Sequence, residues 1–340
     1  MINIYSTEVG IGKGGISTAL VGYIKEFSNK KIKYKLINTH AENKKSKLFL
    51  LACYEALRTK RDDICWFHCG PWFSMVRKLI LIILCKMMGG KIIVHFHSPK
   101  MSNYSESKSL RFFLKLFFIL SDKVIVVAPW WKDFLSYYYP EYKDKIIVSL
   151  NPLDDQLIKL AKSNYTKEHK SNYIHVLSLS RLVEGKGVDK TIKAFRNLPD
   201  NYRLTIAGDG PQKEYLERLI QEYDLTSRVK LIGWVDYSEK LSLYKTADIF
   251  CLPSKLDSFG MVYLEAMSAN IPVIALNYQA IPNILPDFSV ILLDDDNDES
   301  IANAIKSLSY IKKDLSLSTY VLDKFNASTI VNNFVENIYE

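Results

Sequence analysis

The sequence predicts an α/β protein with two parallel-sheet domains, one in each half of the chain. Three observations carry this. Short apolar, β-branched runs alternate with longer helical patterns from end to end, which builds a parallel sheet covered on both faces. At 340 residues the chain exceeds the usual size of one hydrophobic core. The alternation also stops at a polar, lysine-rich stretch and then restarts, as at an interdomain linker. The expected division is 1–156, a linker at 157–172, a second domain at 173–320, and a C-terminal helix within 321–340 that returns toward the first domain.

In the first half the pattern gives strands at Ile2–Tyr5, Lys33–Asn38, Ile64–His68, Lys91–His95, Lys123–Val127 and Lys145–Leu150. Helices fill Ser17–Phe27, Lys47–Arg58, Phe73–Met88, Ser107–Leu120 and Trp131–Tyr138. The second half gives strands at Ile174–Ser178, Arg203–Ala207, Val229–Ile232, Ile249–Leu252, Val273–Ala275 and Val290–Leu292. Its helices are Lys190–Asn197, Lys213–Tyr223, Tyr237–Lys245, Tyr263–Ala269 and Asp298–Ser309. A binding site is expected in the cleft between the domains, near the carboxyl ends of the strands.

Composition narrows the class. Five scattered cysteines argue against a disulfide framework and for a reducing cytoplasm. The longest purely apolar run, Leu79 to Cys85, is far short of the roughly 20 residues that span a bilayer. Residues 1–150 hold 24 Lys+Arg against 11 Asp+Glu, and the remainder 21 against 26, so the first half expects an anionic partner. In Ser109 to Phe118 the basic residues are interleaved with bulky apolar ones. That suits an anionic membrane surface better than nucleic acid, and a peripheral position at the inner face of the cell membrane is expected. An ordinary buried helix with snorkelling cations fits the same residues.

Three segments carry candidate chemistry. The run from Gly10 to Ser17, with Gly14 and Gly15 at a helix start, offers backbone N–H groups to phosphate or sugar oxygens. A tight strand-to-helix turn accounts for it about as well. Arg181 and Lys186, with glycines around the lysine, suit a diphosphate, one cation bidentate and the other a mobile point charge; a solvated basic loop is the alternative. In the third segment Asp257, Ser258, Phe259, Gly260, Met261 and Val262 lead into a helix that carries Glu265. A carboxylate amid Leu264, Ala266 and Met267 needs a partner, whereas Asp257 serves equally as a cap of its own helix.

The segment "SRLVEGKG" with Arg181 and Lys186, Gly208-Asp209-Gly210-Pro211 after a strand, and "DSFGMVYLEAMSANIPVIA" together resemble the signature of family 4 of the retaining glycosyltransferases. The resemblance covers essentially the whole chain and implies the GT-B fold, two Rossmann-like domains facing across a cleft. It implies a nucleoside-diphosphate sugar as donor (a UDP-sugar favoured), retention at the anomeric carbon, and no cofactor or metal. The implied acceptor is a saccharide, lipid-linked, in surface-polysaccharide assembly such as O-antigen or capsule. By the same resemblance Arg181 and Lys186 hold the donor diphosphate and Glu265 the ribose hydroxyls. Ser258 to Val262 contact phosphate and sugar, while Gly233, Trp234 and Val235 lie beside the base. Gly14, Gly15 and Gly210 fall in donor-contacting loops.

Two departures stand out. The family's paired acids are normally two glutamates, but the first is Asp257 here, one methylene shorter. Asn151-Pro152-Leu153-Asp154 replaces the usual Asn-Gly-Val-Asp. A non-catalytic binding subunit and a nucleotide-sugar 2-epimerase of the same fold are the competing readings.

His95 and His97 fall on one face of a middle strand, and the resemblance implies a histidine near the reacting sugar; His97, closer to the strand end, is the candidate. A satisfied structural histidine is the other reading. His68 lies between Cys65 and Cys69, but no second ligand pair follows, so a zinc site is not expected. Trp130, Trp131 and Tyr137 to Tyr139 suggest a sugar-stacking surface or simple core packing.

Overall fold

The computed structural model describes residues 1–7, 9, 15–40, 45–163, 172–311 and 315–339. The chain forms two compact units, Met1–Asp155 with Phe325–Glu340, and Gln156–Lys324.

The first unit contains strands β1 (Ile2–Thr7), β2 (Tyr34–His40), β3 (Ile64–Cys69), β4 (Lys91–Phe96), β5 (Lys123–Val126) and β6 (Ile146–Val148). They form one parallel sheet in the order β2-β1-β3-β4-β5-β6. Its helices are α1 (Gly15–Asn29), α2 (Lys45–Leu57), α3 (Trp72–Met87), α4 (Met101–Glu106), α5 (Lys108–Leu120) and α6 (Pro129–Tyr138). The central strands are buried along their length, β3 at every residue, as a sheet covered on both faces requires.

Helix α7 (Asp155–Lys162) follows. Residues 157–162 were expected as linker; they are helical because Leu157, Leu160 and Ala161 share one buried face, and that apolar spacing outweighs the lysines between them. The rest of the expected linker lies largely outside the described residues.

The second unit holds β7 (Ile174–Leu179), β8 (Tyr202–Ala207), β9 (Val229–Gly233), β10 (Ile249–Cys251), β11 (Val273–Leu276) and β12 (Val290–Leu293). Its helices are α8 (Val188–Ala194), α9 (Lys213–Glu222), α10 (Tyr237–Thr246), α11 (Met261–Ser268), α12 (Ile281–Ile284), α13 (Asp298–Ser309) and α14 (Ser316–Lys324). Again all pairings are parallel, in the order β12-β11-β10-β7-β8-β9. The first strand, β7, therefore sits mid-sheet, and the chain runs outward to one side and then to the other. This is the doubly wound order, which opens a crevice beyond the carboxyl ends of β7 and β10.

The last helix, α15 (Ala327–Tyr339), belongs to the first unit. Its Phe334 meets Trp66 at 4.4 Å and Tyr23 at 5.4 Å between ring centroids, so the C-terminus completes the aromatic core between α1 and β3. Each expected strand is present. Helices α4, α12 and α14 were not anticipated, being short or lacking a sustained apolar period.

Helix α5 has both a buried face and exposed apolar residues, Phe112 and Ile119. Leu114, Phe117 and Phe118 face the core. Arg111 donates to Ser105 O at 2.6 Å and stands 4.7 Å over the Tyr138 ring. Lys115 pairs with Glu141 at 2.7 Å. Arg111 and Lys115, and the core-facing Leu114, Phe117 and Phe118, are thus engaged within their own unit. Trp131 and Tyr139 are buried as well.

Candidate active site

In the second unit the loops that follow β7 and β10 emerge side by side, because those strands are neighbours in the sheet. Backbone contact then locks them together: Lys255 N donates to Gly185 O at 2.7 Å. Gly187 has φ of +74°, and a Cβ there would stand 2.2 Å from Pro253 O. Only glycine fits so close an approach. The result is a short ion pair across the switch point, Lys186 Nζ to Asp257 Oδ1 at 2.6 Å, both side chains nearly buried. Asp257 Oδ2 is buried with no hydrogen-bond partner among the described residues. Arg181, in the same loop as Lys186, is exposed and makes no ion pair among the described residues.

The loop after β8 supports this arrangement from behind. Leu182 N donates to Asp209 O at 2.9 Å, and Gln212 N to Leu182 O at 3.0 Å. A Cβ on Gly208 would fall 1.8 Å from Ser180 O, and one on Gly210 would fall 2.4 Å from Leu182 O. The Gly-Asp-Gly sequence is therefore explained by close packing on the Arg181 loop. Gly233, ending β9 at φ of +79°, accepts from Gly208 N at 2.7 Å. Its Cβ position is open, with Trp234 half-exposed beside it.

Asp236 then caps α10 through a reciprocal pair with Glu239, and α10 presents Lys240 and Tyr244, four residues apart on one face. Lys240 Nζ lies 2.8 Å from Glu265 Oε1, and Tyr244 OH donates to Glu265 Oε2 at 2.8 Å. The partner that a buried Glu265 requires is thus double. Burial, and next the nearby Glu265 charge, raise the Tyr244 phenol well above its ordinary range, so it remains a donor. Neither Lys240 nor Tyr244 was singled out in the sequence; their spacing four apart was the available signal. Gly260 begins α11 at φ of +79°, where a Cβ would meet the Tyr263 ring at 2.4 Å. Phe259 and Met261 are buried on either side of it, and Ser258 and Val262 half-buried.

In the first unit Gly15 heads α1, while Gly14 and the preceding glycines lie outside the described residues. His97 follows β4, and its Nε2 is 2.9 Å from His68 Nδ1 on β3. His95 joins them, its ring centroid 4.0 Å from that of His97. One nitrogen from each of the three rings lies within 4.8 Å of the others. Burial holds the His68 and His95 imidazoles well below their ordinary range and pushes His97 down to about 3, so all three are neutral near pH 7. Sequence spacing had tied His68 to its neighbouring cysteines; the parallel register of β3 and β4 instead sets His68 opposite His95.

Lys78 of α3 was missed. Its ammonium is fully buried and donates to Thr39 Oγ1 at 2.7 Å, and burial lowers its pKa to about 8. No carboxylate among the described residues pairs with it.

Comparison with known proteins agrees with this architecture. The family model for glycosyl transferases group 1 matches residues 162–316. An O-antigen biosynthesis glycosyltransferase of Escherichia coli, WclY, is 30% identical over 288 residues, covering 78% of this chain and 77% of that protein. An uncharacterized glycosyltransferase of Methanocaldococcus jannaschii is 27% identical over 291 residues, 80% of this chain and 70% of the other. Among solved structures, Anabaena HepE in complex with UDP and glucose superposes with a TM-score of 0.75 at 16% identity, with 99% of each chain covered. Sucrose-phosphate synthase from Thermosynechococcus elongatus gives 0.75 at 17% identity, over 99% and 98%.

Proposed function

The chain belongs to the group 1 glycosyl transferases, and from that premise we propose that it moves a sugar, with retention, from a nucleoside diphosphate to a saccharide acceptor. UDP is the favoured carrier, since HepE, of the same fold, was solved with UDP and glucose. A lipid-linked acceptor in surface-polysaccharide assembly agrees with the O-antigen relative.

The observation that carries this reading is the Lys186–Asp257 pair at the β7/β10 crevice. As the bond from the anomeric carbon to the diphosphate oxygen breaks, both electrons stay with the diphosphate. Arg181 and Lys186 stabilise that growing charge, in surroundings where charge interactions are strong. The acceptor hydroxyl bonds to the same face of the sugar, and its proton passes to the departing phosphate oxygen. Asp257 orients the transferred sugar through Oδ2, while Oδ1 keeps Lys186 in place. Glu265, held by Lys240 and Tyr244, accepts from the ribose hydroxyls. No resident metal is required for these roles.

A peripheral place at the inner membrane face is supported by another surface than α5. On α3 the residues Phe73, Val76, Ile80, Ile83 and Met87 are exposed, at spacings that make one continuous stripe. Leu50, Tyr54 and Leu57 are exposed on α2, which packs against α3. Lys47 and Arg58 are exposed on and beside α2. Among the described residues no helix is long and apolar enough to cross a membrane.

The deciding experiment supplies UDP-, GDP- and ADP-sugars with and without a lipid-linked saccharide. Acceptor-dependent release of one nucleoside diphosphate is expected, with the product bond in the donor's configuration. Release of no nucleotide from any donor leaves the non-catalytic reading, and a new sugar formed without acceptor leaves the epimerase.

A further inference from the structure

The histidine cluster of the first unit extends beyond His97, the one histidine that the sequence singles out. Three imidazoles, two fully buried and one half-buried, are brought together by adjacent strands. His68 Nε2 and both ring nitrogens of His95 are buried without a hydrogen-bond partner among the described residues. Buried polar atoms in native proteins are almost always satisfied, and leaving one unsatisfied is costly. A neutral imidazole carries one lone-pair nitrogen and one N–H, so His95 holds one buried lone pair without a partner among the described residues, which an electron-pair acceptor within the cluster would satisfy.

We propose that His68, His95 and His97 form a binding site for a divalent transition-metal ion, with Zn²⁺ as its representative. Imidazole nitrogen is the ligand such ions prefer to hard oxygen. One nitrogen per ring already lies within 4.8 Å of the others, against about 3.3 Å for nitrogens sharing a tetrahedral Zn²⁺ with bonds of 2.0–2.1 Å. Modest ring rotations close that gap. His68 Nδ1 and His97 Nε2 stand 2.9 Å apart as a hydrogen-bonded pair, so an ion bound by both would take the place of the proton between them. Three protein ligands leave a fourth position for water or a hydroxyl, and the half-buried His97 gives the ion a route from solvent. The Lys78 ammonium is the adverse element, since its field reaches both His68 and His97.

The inference does not rest on the transfer reaction, because uptake is read on the protein alone. The full chain, stripped with a chelator and dialysed against Zn²⁺, should retain one ion per molecule by elemental analysis. Substitution with Co²⁺ should give the intense visible absorption of a four-coordinate ion. His95→Gln and His97→Gln should each weaken Co²⁺ binding by at least about tenfold, and Lys78→Met should tighten it. His97 is half-buried, so its variant keeps the test open where His95→Gln fails to fold. A wild-type chain that retains no stoichiometric Zn²⁺ overturns the assignment. So does Co²⁺ binding that survives His97→Gln unchanged.

Discussion

Lys186 and Asp257 meet at 2.6 Å across the switch point of the second sheet, and the second oxygen of Asp257 has no hydrogen-bond partner among the described residues. Each group therefore depends on the other before any donor arrives. Lys186→Ala should reduce turnover by about two to three decades, the effect of losing roughly 2–4 kcal/mol of stabilisation on a developing anion. Asp257→Ala should also lower turnover, yet leave free nucleoside-diphosphate affinity equal or greater, since it releases the Lys186 charge. Isothermal titration beside steady-state rates checks this. Unchanged turnover in Asp257→Ala would reduce Asp257 to a loop anchor. Asp257→Glu, with the family's usual side chain, must push its added methylene against Lys186, and loss of activity with the native donor is expected.

Glu265 is bound on both oxygens, so its neighbours should matter to nucleotide binding even where they never touch it. Tyr244→Phe leaves Oε2 buried and unsatisfied, at a cost of about 1–3 kcal/mol. Thermal denaturation should register that loss. Glu265→Ala should weaken the bare nucleoside diphosphate more than Asp257→Ala does.

Gly187→Ala tests whether the two loops must touch. The added Cβ meets Pro253 O at 2.2 Å and the residue keeps a left-handed φ, so roughly 1–3 kcal/mol of strain is introduced. The Lys186 loop should lift from the Asp257 loop. Turnover should fall with it, while Gly233→Ala, whose Cβ meets nothing within 4 Å, should be far milder in steric cost.

Strands, sheet direction and the candidate segments around Arg181, Lys186 and Asp257 could be picked out in the sequence, because each rests on local pattern: apolar alternation, glycine spacing, a carboxylate beside a helix start. Contacts made by distant elements were not. Lys240 and Tyr244 look like ordinary polar and aromatic helix residues until α10 is laid against Glu265. The grouping of His68 with His95 depends on the β3/β4 register, which composition does not encode. Gly210 enters as a donor contact through the family resemblance, and its conformation and the nearby Leu182 carbonyl add a packing reason that the sequence did not show. The exposure of α3 was equally hidden, since its apolar residues continue around the helix and only the fold decides which are covered.

The α2–α3 surface gives a separate test. Phe73→Ser with Ile80→Ser should reduce binding to vesicles containing anionic lipid, and added salt should weaken what remains, because such attraction is screened over about 8–10 Å. Arg111→Glu should have less effect, as Arg111 is engaged with Ser105 and Tyr138. Flotation that is indifferent to the α3 substitutions would remove this surface from consideration without touching the transfer reaction.

Lys78 yields a prediction with a definite sign in pH. Its folded pKa of about 8 lies below the ordinary 10.5 because burial disfavours the ammonium. Below pH 8 both folded and unfolded chains hold the proton, and the folded chain carries the full penalty, about 3 kcal/mol. Between pH 8 and 10.5 the unfolded chain binds more protons, so this contribution to stability rises with pH across that window. Lys78→Met should therefore stabilise the chain near neutral pH, by up to that amount less the bond to Thr39, and should flatten the alkaline rise. Urea denaturation in the presence of a chelator, at about pH 7 and about pH 10, provides the comparison. If Lys78→Met is less stable than the wild type at neutral pH, the ammonium has a compensating partner and the buried charge is not a net cost. Should the variant be more stable but slower in transfer, Lys78 is retained for the reaction at the expense of the fold.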